Sequence, residues 1–275
     1  MRWVNYVKGH GTLNDFVVIV DRYAAFPLSD EEVRHLCDRR AGVGGDGVLR
    51  AVKAKHIPEW DGDPDLWFMD YRNADGSIAE MCGNGTRVFG RHLADQDLIS
   101  GREVDIATRA GVRRLTFHSD GSVATDMGVV GIDPEPVRVQ LGGLEWSGTR
   151  VDVGNPHAVV LLDDGQDLAE LDLTVAPTWS PAEAYPHGTN VEFVRRIDDH
   201  HLAMRVHERG AGETPSCGTG VVATVATHAA ATGLGDGTYQ VDVPGGVLTV
   251  VLTGDRAVLR GPAEIVAHGK ASLPD

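Results

Sequence analysis

One cysteine motif occurs in each half of the sequence. Cys82 opens the run CGNG and Cys217 opens the run CGTG, close to half a chain length further on. A polar residue stands at the same distance before each cysteine, Asn73 in the first half and Glu208 in the second. Internal similarity at this spacing is typical of a chain built from two homologous units. We therefore predict two similar domains, residues 1–127 and 128–262, facing each other across a cleft.

Similar apolar runs predict equivalent strands in the two halves. Residues 16–20 (FVVIV) follow Asn14, and residues 158–162 (AVVLL) follow Asn155. Short runs rich in β-branched residues and bounded by polar residues or glycine are typical of strands. The two asparagines are therefore expected to enter corresponding strands of the two domains.

A helix is predicted to begin at Ser29 and to continue towards Arg40, because Ser29 and Glu32 have the form of a capping box. Cys37 falls inside this helix, and we interpret it as a small buried apolar residue. The glycines of residues 42–47 match the dinucleotide pattern GxGxxG. That pattern requires a strand before it and a helix after it, and here the order is reversed. A turn between helix and strand is the better interpretation.

Helical stretches follow both cysteine motifs, at residues 86–94 after Cys82 and at residues 221–231 after Cys217. Each cysteine is thus expected at a helix N-terminus, where unpaired N–H groups and the helix dipole lower a thiol pKa and attract an anion. A substrate carboxylate held there would place its α-carbon between two sulfurs. One thiolate could remove the α-proton while the opposite thiol donates one, which inverts the carbon. The motifs predict a cofactor-independent amino-acid epimerase.

Composition excludes several other classes of protein. The chain of 275 residues carries a formal charge of −15, which argues against binding to nucleic acid or to an anionic membrane surface. Its three cysteines are too few and too scattered for a disulfide framework or a zinc site. Apolar runs are of strand length, and the N-terminal residues lack the pattern of a secretory signal, so a cytoplasmic location is expected.

Longer sequence blocks resemble the diaminopimelate epimerase family, which interconverts LL- and meso-diaminopimelate in bacterial lysine and cell-wall precursor synthesis. The blocks follow the family's order and span nearly the whole chain: KGHGTLNDFVV, YRNADGSIAEMCGNGTR, VGNPHAVV, HGTNVEFV and ERGAGETPSCGTG. The resemblance implies an α/β (α+β) fold of two pseudo-symmetric domains, each a mixed β-sheet curled around a central helix. It also implies that residues 263–275 cross back as a strand of the first domain.

The same resemblance implies roles for individual residues. Cys82 and Cys217 would be the acid/base pair, with His157 and Glu208 near them to set their protonation. Contacts with the small amino-acid substrate are implied for Asn14, Asn73, Gly83, Asn84, Asn155, Asn190, Glu208, Arg209, Gly218 and Thr219. The family precedent also implies no pyridoxal phosphate, no metal and a homodimer.

Two departures from the family pattern stand out. GTLND replaces GLGND or GNGND, a change that leaves Asn14 in place. Gly47 stands where some members have a glutamine that contacts the substrate, so that contact is expected to be absent or supplied by another residue.

Two alternative functions stay open from the sequence. A proline racemase or hydroxyproline epimerase uses the same two-cysteine chemistry, but typically has CGHG where this chain has Asn84. A thiol redox or ligand-binding protein could keep the two domains without catalysis. Redox proteins, however, more often carry both cysteines in one CxxC motif.

Overall fold

The structure, a computed structural model, describes residues 2–274. Its contacts divide the chain into two compact units. One unit runs up to Thr125 and resumes at Gly261, and the other is Asp126–Arg260. This division lies close to the boundaries predicted at 127/128 and 262/263.

The first unit contains most of the N-terminal half of the chain. Its strands are β1 (Arg2–Gly11), β2 (Asn14–Val20), β3 (Gly47–Lys53), β4 (Trp67–Asn73), β5 (Glu103–Thr108), β6 (Gly111–Phe117) and β7 (Val123–Val129), the last of which runs across the division. Its helices are α1 (Asp30–Cys37) and α2 (Gly83–Asp95), with a 3-10 turn at Ala54–His56.

The second unit is continuous in sequence. Its strands are β8 (Gly131–Leu141), β9 (Leu144–Asp152), β10 (Pro156–Leu161), β11 (Thr178–Ser180), β12 (Asn190–Asp198), β13 (His201–Glu208), β14 (Gly212–Thr214), β15 (Gly237–Val243), β16 (Gly246–Thr253) and β17 (Arg256–Gly261). Its helix is α3 (Gly218–Thr232), with 3-10 turns at Leu168–Glu170 and Ala182–Ala184. The final strand, β18 (Glu264–Leu273), belongs to the first unit.

Strand pairing repeats between the two units. In the first, the order is β18-β1-β2-β3-β4-β5-β6-β7, with parallel pairs β2–β3 and β4–β5 and antiparallel pairs elsewhere. In the second, the order is β8-β9-β10-β12-β13-β15-β16-β17, with parallel pairs β10–β12 and β13–β15 at the same places. The prediction of two pseudo-symmetric units with mixed sheets is confirmed.

A single long helix packs on the strands of each sheet. In the first unit Val88, Phe89 and Leu93 of α2 are fully buried against strand residues such as Phe16 and Met69. The other helix, α3, is buried over most of its surface, as expected of a helix that is apolar on all sides. It ends at Gly233, whose φ of 72° is the left-handed conformation that glycine adopts without strain. Each helix connects two parallel strands, β4–α2–β5 in the first unit and β13–α3–β15 in the second.

The predicted capping box at Ser29 is confirmed, because the Ser29 side chain accepts from the Glu32 backbone and the Glu32 carboxylate accepts from the Ser29 backbone. The helix ends at Cys37, earlier than the predicted end near Arg40. Asp38 is extended, and its carboxylate accepts hydrogen bonds from the N–H groups of Arg40 and Ala41, both at 2.7 Å. This local turn competes with the helix and stops it. Cys37 is buried, as predicted.

Within residues 2–274, none of the helices combines the length and the apolarity that crossing a bilayer would need.

Candidate active site

Cys82 is the N-cap residue of α2, at the start of the crossover from β4 to β5. Its backbone is extended (φ −139°, ψ 120°), and its Sγ accepts a hydrogen bond from the N–H of Gly85 at 3.4 Å. The predicted position at a helix N-terminus is confirmed. Gly83, the first residue of α2, has no side chain to cover the neighbouring N–H groups.

Two other sequence-predicted residues of the first unit, Asn14 and Asn84, lie beside this thiol. The Oδ1 of Asn14 lies 3.6 Å from the Sγ of Cys82 and accepts from the Nδ2 of Asn84 at 3.2 Å. The Nδ2 of Asn14 donates to the Oδ2 of Asp46 at 2.7 Å. Since a carboxylate can only accept there, Asp46 fixes which end of the Asn14 amide faces Cys82.

Arg87 is a fully buried cation one turn into α2. Its Nη2 donates to the Oδ1 of Asn84 at 2.9 Å, and its Nη1 donates to the carbonyl of Gly83 at 3.3 Å. Burial lowers the pKa of Arg87 to about 10, so the guanidinium stays charged at neutral pH. The charge of Cys82 raises the pKa of Arg87, so the two groups are close enough to interact electrostatically. A positive group therefore lies near this thiol.

Asn73 lies at the end of β4, opposite Gly47 in the register with β3. Its Nδ2 donates to the Oγ of Ser77 at 3.0 Å, so the structure does not join it by a hydrogen bond to the cluster at Cys82. A Cβ atom at Gly47 would lie 2.5 Å from the carbonyl oxygen of Arg72. A glutamine at position 47 would therefore require this backbone to shift.

Cys217 is the N-cap residue of α3, equivalent to Cys82 in the repeated topology. It is buried, and its Sγ lies 3.4 Å from the Oγ1 of Thr219. Gly218 and Thr219 form the first turn of the helix. The predicted helix N-terminus is again confirmed.

The thiol of Cys217 departs from the sequence prediction in its acidity. The helix N-terminus predicted a lowered pKa, but burial raises the pKa of Cys217 well above its ordinary value of 9.0. The charges of Glu208 and Glu192 act in the same direction, and the N–H of Gly220 and the hydroxyl of Thr219 oppose them only partly. The prediction was wrong for this cysteine because desolvation and two carboxylates outweigh the helix dipole.

Glu208, at the end of β13, is in direct contact with Cys217. Its carboxylate accepts hydrogen bonds from the Thr214 hydroxyl and from the Cys217 thiol. Burial raises the pKa of Glu208, and the charge of Glu192 contributes in the same direction. A carboxylate beside a thiol can take its proton, which is the geometry expected of a general base.

Asn190 and Arg209 are linked through the backbone. The Oδ1 of Asn190 accepts from the backbone N–H of Arg209 at 2.9 Å, while the Asn190 side chain itself is buried. Arg209 is exposed and follows directly after β13. Its guanidinium is therefore accessible to a ligand, and its backbone is held by Asn190.

His157 contacts both Asn155 and a residue that was not predicted from the sequence, Glu192. The Nδ1 of His157 lies 2.7 Å from the Oε1 of Glu192, and its Nε2 lies 3.0 Å from the Oδ1 of Asn155. Both His157 and Glu192 are fully buried. The only signal for Glu192 in the sequence is an acidic residue inside the apolar run NVEFV.

Among residues 2–274, no group of three or more His, Cys, Asp or Glu side chains is arranged to hold a metal ion.

Comparison with solved structures identifies the fold. A hydroxyproline epimerase from Agrobacterium vitis superposes with a TM-score of 0.72 at 16% identity, covering 100% of this chain and 94% of the other. A PhzF-family phenazine biosynthesis protein from Bacillus anthracis gives 0.70 at 15% identity, covering 98% and 99%. The chain therefore has the fold that these proteins share, and similarity at this level extends to the fold alone.

Comparison of sequences identifies the family. The family model for diaminopimelate epimerase matches residues 6–132 and 149–266. A diaminopimelate epimerase of Thermobifida fusca is 48% identical over 98% of each chain, and one of Corynebacterium glutamicum (strain R) is 45% identical over 98% of this chain and 99% of the other. The chain belongs to the diaminopimelate epimerase family, and the predicted resemblance is confirmed.

Proposed function

We propose that this protein interconverts LL- and meso-diaminopimelate with two thiols, Cys82 and Cys217, one of which removes the α-proton as a thiolate while the other donates a different proton to the opposite face. The observation that carries the proposal is that each thiol is the N-cap of the central helix of its own unit. Two bases that approach one carbon from opposite faces are what inversion requires, and the duplicated fold supplies one such thiol in each half. Membership of the diaminopimelate epimerase family supports the choice of substrate.

Proton transfer at Cys217 begins with Glu208 in this proposal. The carboxylate of Glu208 accepts the thiol proton, which generates the thiolate that removes the α-proton of the substrate. At Cys82, the N–H of Gly85 and the buried cation Arg87 stabilise a thiolate once its proton has been donated. The roles of the two cysteines exchange in the reverse reaction.

In this proposal, backbone N–H groups at the two helix N-termini bind the carboxylate next to the reacting carbon. They also stabilise the negative charge that develops on that carboxylate when the α-proton leaves. The remaining contacts with the substrate are assigned to the side chains predicted from the sequence: Asn14, Asn73, Asn84, Asn155, Asn190, Arg209 and Thr219.

The test is turnover of LL-diaminopimelate by the purified protein, followed by chiral separation of the two stereoisomers, with L-proline as the control substrate. Conversion of diaminopimelate alone supports the proposal. Preferential conversion of proline would indicate a proline racemase or hydroxyproline epimerase instead. Conversion of neither substrate would indicate a ligand-binding or thiol redox protein.

We also propose that the protein acts in the cytoplasm as a homodimer. Cys37, Cys82 and Cys217 are free thiols, which persist in a reducing compartment. The homodimer is supported by the family resemblance. Sedimentation analysis of the purified chain tests it, because a monomer would contradict the proposal.

A further inference from the structure

Glu192 has a buried carboxylate of which only one oxygen has a hydrogen-bond partner within residues 2–274. Its Oε1 faces His157, while its Oε2 meets no hydrogen-bond partner within residues 2–274. The side chain is fully buried on β12, next to α3: a Cβ at Gly220 would lie 2.6 Å from Oε1. A buried carboxylate is costly unless a cation compensates it, so the identity of that cation needs an explanation.

Nearby charge comes from the ring of His157 and from the first turn of α3. The positive end of the helix dipole faces the carboxylate but carries only a partial charge. His157 is the neighbour that can carry a full one. Its 2.7 Å contact with Glu192 is short, as expected of a charge-assisted hydrogen bond.

The contact of the second ring nitrogen of His157 also favours a positively charged ring. Its Nε2 faces the Oδ1 of Asn155, which can only accept a hydrogen bond. A neutral imidazole has one donor nitrogen and one acceptor nitrogen, so it could satisfy only one of its two partners. A ring that lies between two acceptor oxygens satisfies both when each nitrogen carries a proton.

We propose that Glu192 is a positioning residue that keeps His157 doubly protonated and thereby fixes the orientation of the Asn155 amide. With its Oδ1 held by the imidazolium, Asn155 keeps its NH₂ group for an acceptor such as a substrate carboxylate oxygen. Asn155 lines a cavity of about 550 Å³ within the second unit, next to Arg150 and Tyr185. The link to substrate rests on the proposed function, in which Asn155 is a substrate contact.

Other ionisable groups around His157 agree with this charge state. Glu208 on β13 is close enough for the charge of His157 to lower its pKa, and Glu208 in turn contacts Cys217 on α3. Tyr185 donates its hydroxyl proton to the backbone carbonyl of His157 at 2.7 Å, so it holds the strand and leaves the ring nitrogens free. The charged groups nearest the ring are thus carboxylates, Glu192 and Glu208.

Removal of the charge on Glu192 should reverse the orientation of the Asn155 amide. In Glu192→Gln the amide oxygen still accepts from Nδ1, but no anion remains to hold a second proton on the ring. Nε2 then becomes an acceptor, and the Asn155 amide must turn its NH₂ towards it. The substrate would meet the amide oxygen, which repels a carboxylate.

A direct test is NMR of the ring nitrogens of His157 in the full-length protein, assigned by comparison with a His157→Asn variant. We expect both nitrogens of the wild type to be protonated at pH 7.5, and one of them to lose its proton in Glu192→Gln. Asp242→Asn is the matched control, since it removes the carboxylate of another histidine pair in the same unit, His201–Asp242 at 2.9 Å. It should leave the His157 signals unchanged. A bare nitrogen in wild-type His157 overturns the inference, and this result does not require Glu192→Gln to fold.

Kinetics on diaminopimelate test the link to Asn155. We expect Glu192→Gln to raise KM by roughly 10-fold with a smaller change in kcat, because a hydrogen bond to substrate is replaced by a repulsive contact. The same substitution in an Asn155→Ala background should add no further rise in KM. A further rise there would overturn the inference, since Glu192 would be acting by another route. If His157 is doubly protonated but Asn155→Ala leaves KM unchanged, the substrate contact in the proposed function fails and the charge arrangement stands.

Discussion

The Oδ1 of Asn14 lies 3.6 Å from the Sγ of Cys82, and Asp46 holds the opposite end of the same amide at 2.7 Å. The thiol therefore faces a hydrogen-bond acceptor whose orientation is set by a carboxylate outside the proposed site. Cys217 has a different neighbour, the carboxylate of Glu208. The two halves repeat the position of the cysteine but surround it with different chemistry.

Replacement of either cysteine should abolish epimerisation. Cys82→Ala and Cys217→Ala each leave one face of the substrate without a proton donor or acceptor, and we expect both proteins to fold. Cys37→Ala is the control, because Cys37 is buried in the core around α1 and is not part of the proposed site. Chiral analysis of the product, with circular dichroism to check folding, measures the effect. Substantial turnover by either active-site variant would rule out a mechanism with two bases.

Isotope labelling should separate the two faces of the substrate. In deuterated water, the product formed early should carry deuterium at the inverted carbon, whereas recovered substrate should not. The reason is that the proton removed by one cysteine is not the proton returned by the other. Mass spectrometry of both stereoisomers at low conversion makes the measurement. Equal early labelling of substrate and product would point instead to one base that serves both faces.

Burial of Cys217 should make the protein less stable at alkaline pH. The unfolded thiol ionises near 9.0, while the folded thiol keeps its proton to a higher pH. Its contribution to stability is therefore fully present below pH 9 and is lost as the pH rises towards the folded pKa. Between pH 7.5 and 10, we expect the wild type to lose about 1.4 kcal/mol more unfolding free energy than Cys217→Ala. Urea titrations at both pH values measure this difference.

Cys37 provides an internal check on that measurement. Burial raises the pKa of Cys37 to about 12, and this group is present in both proteins, so its contribution cancels. Equal losses of stability in the wild type and in Cys217→Ala would contradict the raised pKa of Cys217.

Arg209 is predicted to bind the distal carboxylate of diaminopimelate. Its exposed guanidinium can hold a carboxylate with two parallel hydrogen bonds, which lysine cannot. Arg209→Lys should lower kcat/KM by roughly 10- to 1000-fold. The backbone bond from Arg209 to Asn190 survives this change, so the fold of the loop is retained.

Lysine, which lacks the distal carboxylate, is the control substrate for Arg209. It should be a very poor substrate of the wild type and hardly worse for Arg209→Lys. If the variant loses as much activity on lysine as on diaminopimelate, Arg209 acts at the reacting centre or in folding.

Local patterns in the sequence predicted much of the fold. The capping box at Ser29 and the helices that begin after Cys82 and Cys217 depend on residues within a few positions of each other, so they can be read from the chain directly. The end of α1 was missed because an aspartate turn competes with the helix, and the sequence does not decide between them.

Partners distant in sequence account for what the sequence could not predict. Glu192 meets His157 across two parallel strands, and Asp46 meets Asn14 between β2 and the start of β3. Neither pair has a local signal. The raised pKa of Cys217 likewise depends on how completely the folded unit removes water from the thiol, which the helix-terminus argument does not contain.

The return of β18 to the first unit determines when each unit can be completed during synthesis. β18 pairs with β1 along its length, from Arg2 opposite Leu273 to His10 opposite Glu264. Asp126–Arg260 is continuous, so the second unit has all its strands once that segment has left the ribosome. β1 gains its second neighbour only from β18, which follows the whole of the second unit in the sequence. The sheet of the first unit therefore keeps an unpaired edge at β1 until β18 has been synthesised, by which time the second unit already has all its strands.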